Sequence, residues 1–157
     1  MIGAVRTGLS FGLTSGVLTT LGLIVGLYSG TGSRLAVIGG ILAIAVADAF
    51  SDALGIHVSK ESGRKKKQVI WEATFATFVT KFVIALTFII PVLVFGLFNA
   101  IVVSVIWGFV LLTGLSYRVA KSRNSKPLKA ITEHLLIGVF VVMVTYFVGE
   151  FVREVFG

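Results

Sequence analysis

Two aspartates, Asp48 and Asp52, interrupt a long apolar run, and their four-residue spacing stacks them on one face of a helix, with Ser51 beside them. One lysine, Lys81, interrupts the next apolar run. In a nonpolar setting these residue types support two kinds of chemistry. Opposite charges neutralise one another as an ion pair, or carboxylate and hydroxyl oxygens gather a hard or borderline divalent cation or a proton. An acidic residue at the centre of a bilayer costs about 2.5–3.5 kcal/mol on insertion scales. Two of them therefore require neutralisation or solvation.

The elements that carry these residues are membrane spans. Of 157 residues, 56% are hydrophobic and 13% charged, and the mean hydropathy is +1.01, whereas a soluble domain carries about 25% charged residues. A crossing helix needs about 20 mostly apolar residues. The sequence predicts an all-α, five-span membrane domain over residues 1–157, with spans at Leu9–Tyr28, Leu35–Val58, Ile70–Leu93, Phe98–Tyr117 and Ala130–Phe151. At about 1.5 Å per residue, Asp48 lies about 15 Å from the span end near Val58 and Lys81 about 16 Å from Ile70. An intramembrane Asp48–Lys81 ion pair is thus geometrically allowed. Ser15 and Asp52 both fall about 9 Å deep. Asp48, Asp52, Ser15 and Ser51 are accordingly the candidate metal ligands, and the ion-pair and ligand readings stand side by side.

Charge distribution predicts orientation. Eleven of the 14 Lys and Arg residues fall on one side: Arg6, the cluster Lys60 to Lys67, and Arg118 to Lys129. Arg34 and Arg153 fall on the other. Basic residues collect on the cytoplasmic side, so the N-terminus is expected inside and the C-terminus outside. The two basic loops fit contact with anionic lipid rather than nucleic acid. The long first apolar run has no cleavage motif after a short core, so no signal peptide is expected. The chain has no Cys, which excludes disulfides, thiolate metal sites and a cysteine nucleophile. No GxxxxGK motif, HExxH or GxSxG is present, so neither ATP-driven pumping nor hydrolysis has support, and an enzyme and a bound cofactor are not expected.

Gly8, Gly12 and Gly16 recur every four residues along one face of the first span. Such faces let another backbone approach closely, and these three are expected at a homodimer interface. Glu72, Glu133, His134 and His57 lie at the cytoplasmic span ends, as interfacial residues or as points of metal capture.

The stretch from Phe11 to Thr20, FGLTSGVLTT, resembles the first-span signature of the vacuolar iron transporter family, approximately F-G-x-N/S-D-G-x-x-T/S-T. The stretch from Ala47 to Ser59, ADAFSDALGIHVS, is similar to its second-span A-D-G-x-S-M-x-x-G-E/D-Y-x-S. The resemblance implies a homodimer whose first spans pack about a two-fold axis, carrying Fe²⁺ or a similar divalent metal in exchange for protons. Asp48 matches a family Asp. Ser15 stands where the family has Asp, and Asp52 where it has the soft thioether of Met, which leaves an all-oxygen set. The connection Ser59–Val69 is short and basic, unlike the long Glu-rich helical connection of relatives with a cytoplasmic metal-binding domain. A short form lacking that domain is implied. The expected function is export of Fe²⁺ or Mn²⁺ from the cytosol, proton-coupled, across the cell membrane or that of a vacuole-like compartment. The alternatives are a non-transporting scaffold or lipid-interacting protein of the same fold, or a carrier of a non-metal substrate.

Overall fold

The computed structural model describes residues 2–122 and 124–157, with the side chain of Ile2 left aside. The described residues form helices and no strands. They are α1 (Ile2–Thr31), α2 (Arg34–Ser62), α3 (Lys67–Thr87), α4 (Ile89–Val94), α5 (Leu97–Ser122) and α6 (Pro127–Phe156). With α3 and α4 taken as one span, five are long and apolar enough to cross a membrane. The chain is a multi-pass membrane protein.

Each helix runs past the apolar segment that predicts it, because backbone hydrogen bonding does not stop where the hydrocarbon does. α1 begins at Ile2 and α2 continues to Ser62. The third span, expected over Ile70–Leu93 with a short break near Pro91 and Gly96, is broken at Phe88, three residues before that proline. Pro91 supplies the reason: it has no N–H, and its ring clashes with the carbonyl four residues back. That carbonyl belongs to Thr87, the last residue of α3. The Phe88 N–H turns instead to Ala85 O at 3.1 Å. Between α1 and α2 the chain reverses at Gly32, whose φ of +58° suits a residue without Cβ. Ser33 then caps α2, its Oγ accepting from the Ala36 N–H.

α1 is the hub, packing against α2, α3, α5 and α6. Val17, Leu21, Ile24 and Val25 on it are buried. Two glycine series serve different neighbours. Gly22, Gly26 and Gly30 face Val141, Thr145 and Gly149 of α6. Gly8, Gly12 and Gly16, expected at a homodimer interface, face α3 of the same chain instead. A Cβ at Gly8 would lie 2.5 Å from Ala73 O, and one at Gly12 2.7 Å from Thr77 O. The close approach is real, but its partner is the chain's own third helix, whose inward stripe Ala73, Thr77, Lys81 and Ala85 is equally slim except at the lysine.

α2 buries Val37, Ile41, Ala45, Ala49 and Ala53. Two residues further on, each position of the opposite face is small and exposed: Gly39, Ala43, Ala47, Ser51 and Gly55. Nothing lies within 4 Å of a Cβ built at Gly39 or Gly55.

Gly12→Leu is expected to lower the stability of the single chain, by about 1–3 kcal/mol or more because the clash is with backbone. Thermal unfolding in detergent measures this. An unchanged transition accompanied by loss of association would instead return the stripe to an interface between chains.

Candidate functional site

Lys81 is the largest fully buried side chain, 1% exposed, and it lies on the α3 stripe that packs against the Gly8, Gly12 and Gly16 face. An ammonium has three donors and no acceptor. Two are used in hydrogen bonds, and a second carboxylate stands in ion-pair contact. Nζ contacts Asp52 Oδ2, donates to Ser15 Oγ at 2.8 Å, and sits 2.6 Å from Asp48 Oδ2. Ser15 Oγ in turn donates to Asp52 Oδ2 at 2.6 Å. Lys81, Asp52 and Ser15 thus close a triangle, with Asp48 held as a second counter-charge by ion-pair contact with the ammonium alone; its Oδ2 has no hydrogen-bond partner.

Three helices position these groups. α2 supplies both carboxylates from successive turns, about 6 Å apart along the axis, so each side chain turns toward the ammonium lying between them. α1 supplies Ser15 and, next to it, the missing side chain of Gly16. A Cβ there would stand 3.3 Å from Lys81 Cγ and 3.4 Å from its Cα. Gly16 is therefore a site residue: it lets the lysine stem pass α1. α3 supplies the lysine.

Electrostatically the cluster carries two carboxylates and one ammonium, a formal charge of −1 before any proton or cation joins it. Removing an ion from water costs several kcal/mol even after relaxation, and Lys81 recovers this by direct contact with opposite charge. The carboxylates are less enclosed, 24% and 20% exposed against 2% for the lysine side chain. They open on the flank of α2 next to its small outward face. One side of the cluster is locked in protein, and the other is available.

The sequence-predicted residues divide accordingly. Asp48, Asp52 and Ser15 come together, and the expected Asp48–Lys81 pair is present, with Asp52 sharing the same ammonium. Ser51 does not join them, since it lies on the exposed outward face of α2. The four residues at the span ends do not converge. His57 Nδ1 pairs with Thr74 Oγ1 at 3.2 Å, and its ring stands edge-on to Trp71. Glu72 accepts from Gln68 Nε2 at 3.0 Å. Glu133 is exposed, 3.9 Å from Lys129, and His134 Nδ1 pairs with Ser116 Oγ at 2.8 Å. Among the described residues no group of three or more His, Asp or Glu side chains is placed to hold a metal. Within one chain, two carboxylates and one hydroxyl are the whole donor set of the Lys81 cluster. A divalent cation, which takes six or more oxygens when it is a hard ion, needs donors from elsewhere. No protein-family model matches this chain, and no curated protein matches it.

Asparagine substitutions test the charge balance. Asp48→Asn or Asp52→Asn alone leaves Lys81 one carboxylate and is expected to cost on the order of 1–3 kcal/mol, through a lost charge-assisted hydrogen bond at Asp52 and a lost ion-pair contact at Asp48. The double change strands the ammonium and is expected to cost about 3–5 kcal/mol. Adding Lys81→Met to the double change should recover most of that loss. A double variant no less stable than either single one, in thermal unfolding, would contradict the shared-ammonium arrangement.

Proposed function

We propose that the chain is a homodimeric carrier of a divalent cation of the Fe²⁺ or Mn²⁺ class, exporting it from the cytosol in exchange for protons, with its N-terminus cytoplasmic. The observation that carries this reading is the partly open carboxylate pair, Asp48 and Asp52, inside an apolar span and beside a wholly buried lysine. Ionisable groups in such a span are expensive and mark ion pathways by default. The likeness of the two motif segments to the vacuolar iron transporters points to the same cargo.

The incomplete donor set gives the second copy its role. The outward face of α2, with Gly39, Ala43, Ala47, Ser51 and Gly55 in line, offers the close approach that membrane helices use to associate. Asp48 and Asp52 flank that face. A two-fold axis there would bring four carboxylates and two Ser15 hydroxyls toward one another, enough oxygen for a hard or borderline cation. The interface of this reading is α2, not the glycine face of α1. Protons and metal would compete for the same carboxylate oxygens, which is the elementary requirement for exchange.

The rival reading, a scaffold without transport, draws on the compensation of the lysine's own charge: it is hydrogen-bonded to Ser15 and Asp52 and ion-paired with Asp48.

Proteoliposome uptake of Mn²⁺ under an imposed pH gradient separates the two. Wild-type protein is expected to move the metal, and Asp52→Asn to reduce flux to the level of empty liposomes while remaining folded. Absence of Mn²⁺ and Fe²⁺ flux in folded wild-type protein would leave the scaffold reading, and full flux in Asp52→Asn would remove that residue from the path.

A further inference from the structure

α3 and α5 meet where the Trp107 Nε1 donates to Thr87 Oγ1 at 3.1 Å, and toward the other end of the bundle they separate. The gap is a cleft of about 580 Å³ floored by α1. Its walls are apolar over most of its length, with Leu9 and Leu13 from α1 and Val110, Leu111 and Leu115 from α5. Gly114 widens it, since nothing lies within 4 Å of a Cβ built there. Two cations stand in this otherwise greasy wall, Arg6 near the start of α1 and Arg118 near the end of α5. Neither has an ion-pair partner among the described residues. A second cleft on the other flank of α5 shares Arg6 and adds the hydroxyl-bearing Thr7 and Ser122.

We propose that the cleft between α1, α3 and α5 is a binding site for one anionic phospholipid, its phosphate held by Arg6 and Arg118 and an acyl chain lying along the apolar wall toward Thr80. Charge complementarity and shape point the same way. Two guanidiniums at one end of a hydrocarbon-lined slot are a fork for a phosphate, and basic pockets between membrane helices are where lipid headgroups dock. From Arg118 to Val110 the α5 wall runs about 12 Å, so the slot reaches from a headgroup position well into hydrocarbon. A free phosphate would leave the apolar wall unused. The site shares no residue with the Lys81 cluster and does not depend on what that cluster carries. It is also distinct from the loop Ser59–Val69, whose lysines face the surface at large.

Native mass spectrometry of the full chain in detergent tests this, with dioleoylphosphatidylglycerol, dioleoylphosphatidylcholine and soluble glycerol phosphate as probes. The wild type is expected to retain phosphatidylglycerol at concentrations roughly tenfold or more below those needed for phosphatidylcholine, as two basic residues near an anionic headgroup supply. Arg6→Gln with Arg118→Gln should abolish that preference. Gly114→Phe, which fills the cleft from an open position, should weaken retention of phosphatidylglycerol with both arginines in place. Lys65→Gln with Lys66→Gln should leave retention unchanged. Equal retention of the two lipids by the wild type, a preference that survives loss of both arginines, a preference lost with the loop lysines, or binding undiminished by Gly114→Phe would each overturn the proposal. Displacement of the lipid by glycerol phosphate at equal concentration would make the arginines a free-anion site and overturn it likewise.

Discussion

Burying one ammonium sets the terms for the rest of this molecule. Lys81 is fully enclosed in a chain with few charges, and no stable arrangement of three apolar helices could hold it without counter-charge. Asp48 and Asp52 provide the charge, and Ser15 accepts a hydrogen bond from the same ammonium. These contacts in turn require α1, α2 and α3 to meet closely at one level. The glycines at positions 8, 12 and 16 make that approach possible by presenting bare backbone to Ala73, Thr77 and Lys81. Small residues along α2 and α3 play the same part from the other two sides. Packing and charge are one constraint here, because the ion cluster forms only if the helices touch and the helices touch only where side chains are missing.

The cluster has more acid than base. Lys81 neutralises one carboxylate and leaves a formal −1 on the partly exposed flank of α2. In a protein that only needed to hide a lysine, one aspartate would suffice. The surplus charge sits beside a face whose every inward-opposed position is small. That combination gives the carrier reading its physical basis: a cation arriving at this flank would find two carboxylates already oriented, held from behind by an ammonium with which it must compete.

The five spans were legible because their apolar runs are long and separated by charged or small turn residues. Helix ends were not, since α1 and α2 continue into polar sequence without loss of hydrogen bonding. The break at Phe88 was encoded in Pro91, four residues after the last residue of α3. Depth arithmetic brought Lys81 level with Asp48, and the two are 2.6 Å apart. It placed Asp52 a turn away and so missed that a long lysine side chain spans both. Adjacency in sequence groups Ser51 with the aspartates, yet neighbours in a helix point about 100° apart. The glycine stripe carried a true signal of close backbone approach, but period-four spacing does not say which helix approaches. The matching stripe Ala73, Thr77 and Ala85 on α3, with Lys81 at the fourth position, was the clue that could have assigned it within the chain.

The central claim is that Lys81 and a substrate cation compete for the same two carboxylates. Thermal unfolding of wild type and Lys81→Met in detergent, each with and without Mn²⁺, tests it most directly, because a ligand that binds the folded state raises its transition in proportion to its affinity. Without the ammonium the site carries one more negative charge, and the account predicts a larger Mn²⁺-induced rise in Lys81→Met than in wild type, abolished by adding Asp52→Asn. An equal rise in the two proteins, or none in either, would contradict it.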